Sequence, residues 1–244
     1  MKYDLAFKIL IIMSIVGGGS SFLGGLFSCF FSTKNKKIIA SLYEVTAGIM
    51  TAIVCFDMIP ESVQISNIFL VLFGIIIGTS LILVFDSYTQ RYERNTNINI
   101  TQKDSLVIMI SMAFHNLIEG IAIGSSFCYS FSLGLTVLIS MILHDIPEGM
   151  VVGIITKVES KDNLKTLKNS FLSGVITGLG ALVGYILGKI NGIYISLCLS
   201  VAAGCMLYIV SCDLIPNSKY ITKNKKVYLV YIFGILIGLL MTRI

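Results

Sequence analysis

Eight apolar runs, each about the length of a bilayer crossing, constrain this chain more than any other feature. They fall at roughly 5–31, 38–60, 66–85, 105–126, 131–156, 168–189, 192–215 and 226–243. A hydrocarbon core of ~30 Å takes about 20 mostly apolar residues in a helix. Backbone polar groups in lipid have no water to bond, so a helix that pairs them internally is the expected form. Charged residues make up 13% of the 244, and mean hydropathy is +0.89. Soluble chains carry about 25% charged residues. The polar breaks Thr33–Lys37, Glu61–Ser66, Ser87–Asp104, Lys157–Lys168 and Asn217–Lys226 leave no room for an extramembrane domain. The expected fold is therefore all-α: one polytopic membrane domain over 1–244 with eight transmembrane helices.

The net charge of +5 reflects topology rather than an anionic partner. Fourteen of the 18 basic residues lie in the breaks after spans one, three, five and seven. The positive-inside rule makes those breaks cytoplasmic and places both termini outside. The basic residues are not interleaved with aromatics, so no nucleic-acid partner is expected; the lipid bilayer is. The N-terminal run has no small-residue cleavage pattern and reads as a first span rather than a signal peptide. The six cysteines form no CxxC pair. Cys198, Cys205 and Cys212 recur every seven residues on one helix face, as small packing residues do.

The chain repeats itself. Val45–Ser62 reads VTAGIMTAIVCFDMIPES and Val201–Ser218 reads VAAGCMLYIVSCDLIPNS, identical at ten of eighteen positions at an offset of 156. FGIIIG at 73–78 returns as FGILIG at 233–238. Spans two and three thus recur as seven and eight, and the odd number of spans between copies inverts one relative to the other. Inverted repeats are a transporter architecture with the site near the midplane. Asp57 and Asp213, each three residues before a proline, fall near opposite mouths and are candidates to attract or pass on cations. Met50 and Thr177 are further candidates for the pathway.

Spans four and five carry the chemistry. His115-Asn-Leu-Ile-Glu119-Gly120 and His144-Asp-Ile-Pro-Glu148-Gly149 hold the only two histidines in the chain. Both histidines lie near mid-span, where ionisable groups are costly and mark ion pathways. Residues four apart share a helix face, so His115 points with Glu119 and His144 with Glu148, and Asn116 and Asp145 flank them. Two imidazoles and two carboxylates around one point suit Zn, Fe, Mn, Co or Ni better than Mg or Ca. A second ion could share Glu119 and Glu148 and add Asn116 and Asp145. Pro147 removes a helical hydrogen bond and frees the Leu143 carbonyl. Two histidines could instead ligate a haem axially, but haem needs no paired glutamates. An intramembrane metalloprotease would want HExxH, which is absent. A metalloenzyme or metal sensor built on the same His/Glu site stays open as an alternative to transport.

The HNxxEG and HDxPEG pair in an eight-span chain resembles the ZIP (Zrt-, Irt-like) metal transporters, in their compact bacterial ZupT/GufA-like form. AGIM…DMIPES, AGCM…DLIPNS and SGVITGLGALVGY add to the resemblance. It implies a cell-membrane carrier, not an enzyme. The cargo would be zinc, or iron, manganese, cobalt or cadmium, moved into the cytosol without a bound cofactor. It further implies a 3+2+3 arrangement with repeats over 1–86 and 168–244 around a central pair at 105–156, and homodimers. Carried over by motif, the first metal site is His115, Glu119, His144 and Glu148, and the second Asn116, Glu119, Asp145 and Glu148. Many relatives have a proline where this chain has Ile118. Relatives often carry a span-six glutamate in the second site; here Ser173–Leu182 reads SGVITGLGAL, with Thr177 and Gly178 at those positions. The 87–104 break also lacks the histidines of some relatives.

Overall fold

A computed structural model describes residues 2–30, 36–95 and 100–241. Every regular element among them is helical: α1 (Lys2–Phe30), α2 (Lys36–Ile65), α3 (Ile68–Asn95), α4 (Ile100–Tyr129), α5 (Phe131–Ser160), α6 (Asn163–Gly188), α7 (Gly192–Ile221) and α8 (Lys225–Met241). The starts of several helices follow from short polar side chains that accept an otherwise unpaired backbone N–H. Ser130 Oγ takes Leu133 N at 3.0 Å, Asp162 Oδ1 takes Leu164 N at 2.8 Å, and Asn67 Oδ1 takes Leu70 N at 3.0 Å. Lys161, in the left-handed region at φ 53°, stops α5.

Six of these helices are long and apolar enough to cross a membrane: Lys8–Phe30, Lys36–Ile65, Ile68–Tyr88, Phe131–Lys157, Asn163–Gly188 and Gly192–Ile221. Outside this set are α4, which holds His115, Asn116 and Glu119 within about one turn, and α8, described over 17 residues. The helices overrun the expected breaks. Glu61–Ile65 and Asn217–Ile221 are helical, and the expected 87–104 break is helical up to Asn95 and again from Ile100. A helix leaving lipid keeps its internal hydrogen bonds, so hydropathy ends before the helix does. Most of the expected 33–37 break, including Lys34, lies outside the described residues, as does Arg243.

Both α2 and α7 change winding at matching places. Val54–Met58 and Val210–Leu214 are single π-helical turns, 156 residues apart like the sequence repeat. In each, the next residue bonds five back, Ile59 N–H to the Val54 carbonyl and Ile215 N–H to the Val210 carbonyl, just before Pro60 and Pro216. The prolines offer no N–H, and the wider turn accommodates the interrupted ladder.

Packing sorts the helices into two groups of four. In one, α1 and α6 enclose α4 and α5; in the other, α2 packs on α8 and α3 on α7. Glycine sets the spacing in both. A Cβ on Gly120 (α4) would overlap the Thr177 carbonyl oxygen of α6, and one on Gly149 (α5) the Ser21 carbonyl oxygen of α1. In the second group Gly48 meets the Tyr231 carbonyl and Gly204 the Ile75 carbonyl. Each of these close glycine approaches stays inside its own group. The two groups meet mainly where α4 faces α7 and α2 faces α5. Among the core residues, Met50 and Met206, 156 apart in the repeat, are both fully buried.

Candidate metal centre

The motif glutamates and histidines converge because i and i+4 stack on one face of α4 and of α5, and the two helices pack side by side. His115, Asn116, Glu119, His144, Asp145 and Glu148 are all at most 3% exposed. Glu119 is the hub. Its Oε1 lies 2.8 Å from His115 Nε2 and 2.7 Å from His144 Nε2, with the rings 6.5 Å apart between centroids. Glu148 Oε1 reaches to 3.3 Å from His115 Nε2, and Asp145 Oδ1 to 3.7 Å from His144 Nε2.

The hydrogen bonding fixes which atoms face inward. His144 Nδ1 lies 3.1 Å from the Ser140 carbonyl, which can only accept, so Nδ1 carries the hydrogen and Nε2 is the atom presented to Glu119. A neutral Nε2 and a carboxylate oxygen both offer lone pairs; a shared proton or a cation fills the gap between them. Asn116 Nδ2 donates to the Ser173 carbonyl of α6 at 3.0 Å, leaving Oδ1 turned elsewhere. Ser20 Oγ on α1 lies 2.8 Å from Asp145 Oδ2.

What remains is a buried set of unsatisfied ligand atoms. His115 Nδ1 and Nε2, Asn116 Oδ1, Asp145 Oδ1 and both oxygens of Glu148 have no aligned hydrogen-bond partner. Leaving such groups unpaired in low dielectric is costly, and a bound cation removes that cost. Two trios place their ligand atoms within 4.8 Å of one another: His115, His144 and Glu148; and Glu119, His144 and Asp145. Nitrogen and oxygen donors in this ratio match zinc and its first-row neighbours.

Five of the six motif residues fall in these trios; Asn116, next to His115 on α4, is buried beside them with its amide held by α6. The other four candidates are not part of those trios. Thr177 is buried at 4% exposure, with its carbonyl against Gly120 and its Oγ1 unpartnered. Asp57, buried with Oδ2 unpartnered, and the part-buried Asp213 sit in the two π turns. Met50 lies in the apolar core. Sequence reasoning missed the Ser20 hydroxyl and the Ser173 and Ser140 carbonyls. Serines are common in membrane helices, and only the packing of α1 and α6 on the central pair distinguishes Ser20 and Ser173; Ser140 lies on α5 itself, one turn before His144. The cysteines support a packing role: Cys205 Sγ donates to the Gly78 carbonyl of α3 at 3.1 Å.

Comparison with known proteins gives concordant matches. A family model described as ZIP zinc transporter matches residues 86–242. The zinc transporter ZupT of Streptococcus mutans is 27% identical over 249 residues, covering 94% of this chain and 93% of that protein. The zinc transporter ZupT of Clostridium perfringens is 24% identical over 245 residues, with 85% and 86% covered. The zinc transporter GufA of Myxococcus xanthus is 32% identical over 115 residues, with 47% and 45% covered.

Proposed function

The chain belongs to the ZIP zinc-transporter family, and from that premise we propose how its buried centre carries metal. It is a multi-pass membrane protein that transports divalent metal ions, and it is not an enzyme. Zinc is the cargo that fits best, both by the names of its relatives and by the donor set. One observation carries the assignment of the site: a single carboxylate oxygen of Glu119 stands 2.8 and 2.7 Å from two imidazole nitrogens in a sealed interior.

In this reading His115, Glu119, His144 and Glu148 hold the transported ion. Asn116 and Asp145, with the shared glutamates, offer an adjoining oxygen-rich position. Thr177, neutral and a weak ligand, leaves that position with one carboxylate fewer than many relatives have, so the second ion binds more weakly than the first. All six residues come from one chain, so a second copy is not needed to complete the centre.

The inverted repeat is the basis of movement. Three features support it: the 156-residue offset in sequence, the π turns at the same offset, and the paired contacts of Gly48 with α8 and Gly204 with α3. The centre belongs to the α1/α4/α5/α6 group, and the α2/α3/α7/α8 group flanks it. Alternating access then follows from movement of the first group against the second, since glycine locks helices within each group and not between them. With all eight helices crossing the cell membrane and both termini outside, metal enters from outside and leaves to the cytosol. Asp57 and Asp213 attract the cation at opposite mouths.

Purified protein in liposomes tests this. Uptake of zinc should be saturable and depressed by competing cadmium, cobalt or iron, with manganese weaker. A protein that binds zinc yet moves none would be a sensor, and the transport reading would be lost.

A further inference from the structure

The two second-position residues, Asn116 and Asp145, occupy equivalent places in the motifs of α4 and α5, but they differ in what they can do. Asn116 has an amide, and Nδ2 donates directly to the Ser173 carbonyl of α6 at 3.0 Å. On the α1 side the neighbouring carbonyl is that of Gly17, which Ser20 contacts. An ionised carboxylate at 145 cannot donate to a carbonyl there, since both groups only accept. Ser20 stands between them: Oγ lies 2.9 Å from the Gly17 carbonyl and 2.8 Å from Asp145 Oδ2, and with an ionised carboxylate its single hydrogen goes to Oδ2, the stronger acceptor.

Contact with the carbonyl three residues back is ordinary for serine in a helix. Ser28, Ser125 and Ser173 make it as well, to Gly25, Ala122 and Ser170. What distinguishes Ser20 is the second contact, across 125 residues, to a group of the metal centre. Ser20 is itself buried, 3% exposed. With Oδ2 tied to α1, the other oxygen, Oδ1, is left without a partner, within ligand range of Glu119 and His144.

We propose that Ser20 is a positioning residue of the metal centre, whose hydroxyl turns Asp145 so that Oδ1 faces the ion, as the Ser173 carbonyl turns Asn116 on the opposite side. This rests on the reading of the six-residue cluster as the ion site. Groups that orient a ligand in this way are typically worth about 10–100-fold in metal affinity. The anchor for Asn116 is a backbone carbonyl that no substitution removes, whereas the anchor for Asp145 is a side chain, so this chain's affinity can be tuned from α1.

The test is a cobalt titration of the purified, detergent-solubilised protein, followed by the visible absorption of the bound ion. Asp145→Ala identifies the cobalt equivalent that Asp145 ligates, as the one it weakens. Ser20→Ala should weaken that same equivalent about 10–100-fold and leave any other within about twofold. Ser20→Cys, with a weaker donor, should fall between. Adding Ser20→Ala to Asp145→Ala should cost nothing further, because no carboxylate remains to be turned. Unchanged cobalt binding in Ser20→Ala, equal weakening of every equivalent, additive losses in the double variant, or no equivalent sensitive to Asp145→Ala would each overturn the proposal. Zinc flux in liposomes is scored separately. A wild type that shows the cobalt pattern but no flux loses the transport reading and keeps this one.

Discussion

Glu119 shows how much one residue type at one spacing can carry. Its position four after His115 was legible from the sequence, and so was its convergence with His144 on the neighbouring helix. Its role as hub, with one oxygen against both imidazoles at 2.8 and 2.7 Å, depends on how α4 and α5 are rotated against each other and was not. The same holds for Ser20, whose hydroxyl becomes informative only once α1 is laid against α5. Thr177 is where the sequence departs from the family pattern, and the fold buries it with Oγ1 unpartnered. A fourth acidic group there is tolerable only with added positive charge, since an unpaired buried charge is strongly destabilising. Thr177→Glu should therefore raise the zinc content of the purified protein toward two ions and lower the melting temperature of the metal-free form. Elemental analysis and thermal unfolding check both; unchanged zinc content would count against the second position.

At the scale of elements, hydropathy located the helices but not their ends. Asp86 to Asn95 continues α3 because hydrogen-bonded turns persist after lipid is left behind. Pro60 and Pro216 were visible in the sequence, yet the π turns just before them depend on how the chain redistributes its bonds, which composition does not reveal. Glycines were visible as a type, and their partners were not. Gly120 and Gly149 face backbone so closely that a methyl group has no room, whereas one on Gly19 would meet nothing within 4 Å. Gly120→Ala and Gly149→Ala should each cost about 1–3 kcal/mol through overpacking, with zinc uptake reduced, while Gly19→Ala should match wild type. Thermal unfolding in detergent and liposome uptake distinguish them; equal behaviour of all three would show that helix spacing is not set by glycine contact.

At the scale of the molecule, the repeat was readable at one offset over eighteen residues, but the grouping of helices was not. The resemblance implies triplets around a central pair along the chain; the packing, which joins α1 and α6 to α4 and α5, is a separate fact that the order does not state. That grouping puts the six residues of the proposed ion site, with Ser20 and the Ser173 carbonyl that contact them, in one unit. The topology makes a prediction of its own: epitope tags at both termini should be labelled by antibody on intact cells, and labelling that requires permeabilisation would reverse the orientation. The central claim is that the ion crosses through the Glu119 hub, and zinc flux into liposomes holding equal amounts of wild-type, Glu119→Ala and His144→Ala protein tests it most directly. Saturable uptake by the wild type, with uptake no faster than empty liposomes by both variants, is the expected result; wild-type rates in either variant would contradict it.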